Sequence, residues 1–126
     1  MRRLLSLATA GLLGSAVAAP LAAQSQDRAE ETVTITADVV DLSCKYVQNA
    51  SGVQHKMCAE VCADKGQPLG LLTADGQFLL PVNGGMGAAG ENARLKPFAE
   101  EKVTVTGKII RRGGVNAIVI EKISKA

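Results

Sequence analysis

Four residues with metal-binding or nucleophilic side chains lie within nineteen positions of the chain. Cys44, His55, Cys58 and Cys62 are all three cysteines and the only histidine of the 126 residues, spaced Cys-x10-His-x2-Cys-x3-Cys. If residues 54–65 form a helix, the histidine and the last two cysteines fall at i, i+3 and i+7, on one face. Cys44, just beyond a predicted strand, could complete the cluster.

The residue types of this cluster are those of a metal site. Three thiolates and one imidazole match the ligands of tetrahedral zinc, and soft sulfur ligands also suit Cu⁺. We therefore predict a site formed by Cys44, His55, Cys58 and Cys62 that binds zinc or copper, on a protein that is not an enzyme. The spacing lacks the paired Cys-x2-Cys units that mark a zinc ribbon, so the pattern alone does not fix the metal.

A disulfide is the first alternative. In an oxidising compartment, Cys44 could pair with Cys58 or Cys62 and staple the helix to the rest of the domain. One thiol would then remain free. The protein would in that case be a structural or binding domain without a metal.

Thiol chemistry is the second alternative. Cys58 or Cys62 could act as a redox group or nucleophile, with His55 as the neighbouring base. A third, orienting group would be needed, for which the nearby acids are Asp41, Glu60 and Asp64. A single histidine argues against a multistep acid–base enzyme.

The first residues predict export. Arg2 and Arg3 precede an apolar run from Leu4 to Ala19 that is shorter than the roughly 20 residues of a membrane span. Small residues follow, so we predict that residues 1–23 are a signal peptide cleaved after Ala23. The mature protein would be periplasmic or secreted and not bound to a membrane.

Charge and composition argue against nucleic acid as a partner. Removing residues 1–23 takes away two arginines and no acids, so the net charge falls from 14 − 12 = +2 to 12 − 12 = 0. Barrels that bind oligonucleotides stack bases on aromatic side chains, and only Tyr46, Phe78 and Phe98 are aromatic here. A metal ion is the one partner that the sequence predicts.

The rest of the chain predicts one small β domain over residues 32–126, preceded by a disordered lead over 24–31. Residues 33–38 and 103–108 both alternate apolar and polar residues, as in half-buried strands. Beyond each of these runs the apolar residues change from odd-numbered to even-numbered positions. This change predicts a bulge or bend in each strand, at Val39-Val40 in the first and near Gly107 in the second.

Turn signals divide the remainder into elements. Asp75-Gly76 between two apolar runs predicts a hairpin, Pro97 lies in a predicted short helix, and Gly113-Gly114 turns the chain into a last strand. Five strands with a short helix between the third and fourth predict a five-stranded barrel like the oligonucleotide/oligosaccharide-binding (OB) fold, with the Cys/His helix inserted after strand 1. Another small barrel, or an open sheet crossed by a helix, has the same element order.

Several segments resemble a family of small exported bacterial proteins of uncharacterised function. These segments are residues 39–44 (VVDLSC), the His55-x2-Cys58-x3-Cys62 motif, and residues 66–76, which read Gly-x-Pro-x-Gly-Leu-Leu-Thr-x-Asp-Gly. The resemblance covers most of the mature chain. It implies an OB-like barrel and supports treating the cysteines and His55 as one unit, and it implies no particular activity.

Overall fold

The computed structural model describes residues 28–85 and 90–126. The predicted signal peptide, residues 1–23, and part of the glycine-rich connection, residues 86–89, lie outside the described residues.

Five strands form the scaffold of the protein. They close into a barrel in the order β1-β2-β3-β5-β4, with every neighbouring pair antiparallel except β3 and β5, which are parallel. The strands are β1 (Arg28–Asp41), β2 (Leu69–Thr73), β3 (Phe78–Pro81), β4 (Lys102–Arg112) and β5 (Val115–Lys125). This is an OB-like barrel, and the predicted fold class is confirmed.

Short helices occupy two of the connections. Between β1 and β2 lie α1 (Leu42–Gln48), a 3₁₀ turn (Val53–His55) and α2 (Lys56–Asp64). Between β3 and β4 lie α3 (Asn92–Leu95) and a 3₁₀ turn (Lys96–Phe98), as predicted around Pro97. None of the helices in the described ranges is long and apolar enough to span a bilayer.

The core fills the barrel with side chains from alternate strand positions. Each fully buried Val, Leu or Ile side chain stabilises the fold by about 1.5–3 kcal/mol. The least exposed of these side chains are Val39, Val40, Leu71, Leu79, Val103, Val105 and Ile118 from the strands and Leu95 from α3.

The first strand is longer than predicted and takes part in two halves of the barrel. The prediction of a disordered lead over residues 24–31 is wrong for residues 28–31, which belong to β1, and residues 24–27 lie outside the described residues. The first part of β1 pairs with β4, the last part pairs with β2, and Ala37 and Asp38 pair with both. Val39 and Val40 are both buried although they face opposite sides of the strand, because α1 and α2 also contact β1. The pairing of β1 with β2 runs through these residues without the predicted bulge.

Gly107 marks the bend in β4. The register of β4 against β5 shifts between Thr106 and Gly107, as predicted. A Cβ atom on Gly107 would lie 2.4 Å from the carbonyl oxygen of Val119, so the close approach of the two strands requires glycine. The predicted change of apolar phase beyond this point does not occur, since Ile109 stays on the buried face.

Candidate metal centre

The site begins where β1 ends, at Asp41. This residue caps α1, and its Oδ1 accepts a hydrogen bond of 3.0 Å from the backbone N–H of Cys44. Aspartate is a favoured N-cap because its oxygen satisfies an N–H of the first helical turn. The cap fixes the position of Cys44 relative to the strand end, and it uses only one of the two carboxylate oxygens.

His55 approaches this pair from the start of α2. One donor atom each from Asp41, Cys44 and His55 lie within 4.8 Å of one another, a spacing that could hold a metal ion. Asp41 is 1% exposed and the other two side chains are half-buried. The carboxylate comes from a strand end and the imidazole from the start of a helix, so three elements meet at this point.

Two polar atoms at this site are buried without a partner. Asp41 Oδ2 and His55 Nε2 each lack a hydrogen bond. Burying a polar group unpaired costs on the order of 1–3 kcal/mol, and buried charges are ordinarily paired or bound to metals. Both residues belong to the group whose donor atoms are close enough to hold a metal ion.

The other two predicted ligands, Cys58 and Cys62, lie on α2 beside this group. Cys62 is half-buried and interacts with Cys44, Asp41 and Cys58. Cys58, four residues earlier on the helix, is exposed. The group whose donor atoms lie within 4.8 Å of one another is Asp41, Cys44 and His55, and it includes neither Cys58 nor Cys62. These two cysteines lie on the adjacent helix at different depths.

All three cysteines are free. The disulfides considered from the sequence, Cys44 with Cys58 or Cys62, are not formed in this structure.

Burial and negative charge keep the inner thiols protonated when no cation is bound. Burial raises the pKa of the Cys44 thiol, and the Asp41 carboxylate raises it further. Burial also raises the pKa of Cys62 to about 11, with smaller contributions from Cys58 and Asp41. A catalytic thiol needs the opposite shift, so this environment disfavours Cys62 as a nucleophile.

Glu100 connects the strand end to the segment that carries His55. Its Oε1 accepts a hydrogen bond of 3.4 Å from the N–H of Asp41, and its Oε2 accepts one of 2.6 Å from the N–H of Gly52. Gly52 directly precedes the 3₁₀ turn that ends at His55. One carboxylate thus holds Asp41 and the His55 segment at a fixed separation.

An ion pair anchors the start of α2. Lys56 pairs with Glu101, which also pairs with Lys125 at 2.7 Å. Lys125 and then Lys56 lower the pKa of Glu101 to about 2. Lys56, the residue after His55, is thus linked through Glu101 to Lys125 of the barrel strand β5.

Asn92 anchors the end of α2 near Cys62. Its Nδ2 donates hydrogen bonds to the carbonyls of Ala63 at 3.1 Å and Gln67 at 2.7 Å, and its Oδ1 accepts one of 3.0 Å from the N–H of Leu69. This amide therefore joins the helix end to the start of β2. Because Ala63 directly follows Cys62, these hydrogen bonds also hold the backbone next to Cys62.

Asp41 belongs to the site but is absent from the set of metal ligands predicted from the sequence. In the sequence analysis it is only a possible orienting group for a catalytic thiol, together with Glu60 and Asp64. Of these, Asp64 pairs with Lys96 at 2.6 Å. The signal that could have identified Asp41 is an acid three residues before a cysteine, at the boundary between a strand and a helix.

Comparisons with protein-family models, with curated proteins and with solved structures found no significant match to this chain.

Proposed function

We propose that this protein is an exported, non-catalytic zinc-binding protein. Asp41, Cys44, His55 and Cys62 are the ligands, and the barrel is the scaffold that holds them. This set keeps three of the four ligands predicted from the sequence and exchanges the exposed Cys58 for the buried Asp41.

The buried, unpartnered Oδ2 of Asp41 carries the proposal. A carboxylate that is 1% exposed and has one oxygen without a hydrogen-bond partner is an unfavourable arrangement. Donor atoms of Cys44 and His55, which are themselves metal-binding groups, lie within 4.8 Å of an Asp41 oxygen. A divalent cation would satisfy the carboxylate, the imidazole and the thiols together.

The mixed donor set favours zinc over copper. Zn²⁺ is of borderline softness and accepts sulfur, nitrogen and carboxylate oxygen in one tetrahedral site, whereas Cu⁺ selects soft sulfur ligands. Four ligands from the protein complete the tetrahedron. They leave no open position for water, which is the arrangement of a structural rather than a catalytic zinc site.

The proposal of export is supported by the first residues of the sequence. The arginine pair, the short apolar run and the small residues up to Ala23 have the order of a secretory signal. The ion would then be bound outside the cytoplasm. The resemblance to small exported bacterial proteins supports the same compartment.

The first test is the native intact mass of the protein purified from the exported fraction, without reducing agent or chelator. We expect a mature chain beginning at Gln24 with one zinc ion, and with two protons displaced by the bound thiolates. A bare mass two hydrogens light would show a disulfide in place of the metal and would overturn the proposal. A copper adduct would overturn the choice of metal.

A matched pair of variants then assigns the ligands. Cys62→Ser should lose zinc and unfold at a lower temperature in zinc-containing buffer, because metal binding stabilises the folded state. Met57→Ser, on the exposed side of the same helix, should retain both properties. Full zinc retention by Cys62→Ser and by Asp41→Asn would show that the site is wrong.

A further inference from the structure

We infer that Cys58 is the exchange ligand of the site, the thiol through which zinc passes between a thiol-bearing carrier and the inner ligands. This inference rests on the proposed function and assigns to Cys58 a kinetic role in place of permanent ligation. The donor in this proposal is a small molecule or protein that holds zinc through thiolates.

The depth of the donor groups supports this role. Asp41 Oδ2 and His55 Nε2 are buried atoms, and Cys44 and Cys62 are half-buried. Cys58 alone among these groups is exposed. A zinc ion held by a carrier therefore meets the Cys58 sulfur before it can reach the buried oxygen and nitrogen.

The thiols form a continuous series from the surface to the interior. Cys58 and Cys62 lie at i and i+4 on α2, where side chains on the same helix face are neighbours. Cys58 also follows His55 by three residues, a spacing that places the two side chains one helical turn apart. An ion on Cys58 can thus acquire an inner ligand before it leaves the outer one.

The transfer is a ligand exchange without a change in oxidation state. The Cys58 sulfur forms a bond to the incoming zinc, one carrier thiolate leaves, and the Cys58 proton passes to that thiolate. The Cys62 and Cys44 sulfurs then bond to zinc and displace the remaining carrier thiolates, which take up their protons. In the last step the bond from zinc to Cys58 breaks as Asp41 and His55 complete the coordination, and Cys58 regains a proton from solvent.

The test compares Cys58→Ser with Cys62→Ser and with Met57→Ser, using the mature chain. Two quantities are measured for each: the equilibrium affinity for Zn²⁺, by competition with a chromophoric chelator, and the rate of zinc uptake from a zinc–glutathione complex, by stopped flow. For Cys58→Ser we expect uptake slower by about tenfold or more, with an affinity within about threefold of the original. Met57→Ser should leave both quantities unchanged.

The outcomes separate this inference from the proposed function. If the original protein binds zinc and Cys58→Ser takes it up at the original rate, the inference is wrong and the proposed function stands. If Cys58→Ser loses as much affinity as Cys62→Ser, Cys58 is a permanent ligand and the inference is again wrong. If the original protein binds no zinc, both fail.

Discussion

The Asp41 carboxylate accepts a hydrogen bond from the backbone N–H of Cys44 through Oδ1, at 3.0 Å, while its Oδ2 is buried without a partner. One side chain therefore has two separable tasks. It begins α1 as the N-cap, and it presents a negative oxygen to the neighbouring thiol and imidazole. An amide in the same place could perform the first task but not the second, because it carries no charge.

Replacing Asp41 separates helix capping from metal binding. Asn and Asp are similarly good N-caps, so Asp41→Asn should keep the free energy of unfolding of the zinc-free protein within about 1 kcal/mol. Its zinc affinity should fall by at least about tenfold. Asp41→Ala should lose the affinity and also about 1 kcal/mol of stability in chelator. Chemical denaturation in EDTA and chelator competition measure the two effects, and original zinc affinity in Asp41→Asn would exclude the carboxylate as a ligand.

Zinc binding should release protons from the inner thiols. The pKa of Cys44 is raised and that of Cys62 is about 11, so both thiols are protonated near pH 7 before the ion binds. Binding should therefore release about two protons per ion, and the affinity should fall by about 100-fold for each unit by which the pH is lowered. Titration calorimetry in buffers of different ionisation enthalpy counts the protons. A count of zero would show that the thiols do not ligate the ion.

Glu101 should make the fold less stable as the pH is lowered. Lys125 and Lys56 lower its pKa to about 2 from an ordinary value of 4.5. A carboxyl whose pKa is lowered in the folded state contributes stability above its unfolded pKa and loses it as the pH falls through the folded value. Glu101→Gln should therefore unfold at a lower temperature than the original protein at pH 6, with the difference shrinking between pH 4.5 and pH 2. Glu121→Gln, at an exposed position on β5, is the control and should show no such trend.

Removing the Asn92 amide should loosen the end of α2. Asn92→Ala leaves the N–H of Leu69 and two carbonyls without this partner, which should cost about 1–3 kcal/mol of stability in the zinc-free protein. Zinc affinity should fall as well, because Cys62 lies one residue before Ala63. Asn116→Ala on β5 should change the stability by less than about 0.5 kcal/mol. Equal unfolding midpoints for the two variants in denaturant would contradict this role of Asn92.

Local patterns in the sequence were enough to predict the elements of the barrel. Alternation predicted β1 and β4, Asp75-Gly76 predicted the hairpin of β2 and β3, and Gly107 predicted the bend. These features depend on residues close in sequence, whose backbone preferences and side-chain period act locally. The same patterns placed the start of β1 too late, because Arg28 and Glu31 pair with β4 although the sequence around them is polar and has no strand pattern.

The amino-acid sequence by itself determined which chemistry the site could have, since it supplies three thiols and one imidazole within nineteen residues and predicts the helix that carries three of them. The tertiary structure decided which of these groups meet and at what depth. Asp41 joins the site, and Cys58 stays at the surface, because the end of β1 and the two helices after it pack together. Such packing joins residues from three elements, and no periodicity within any one element encodes it.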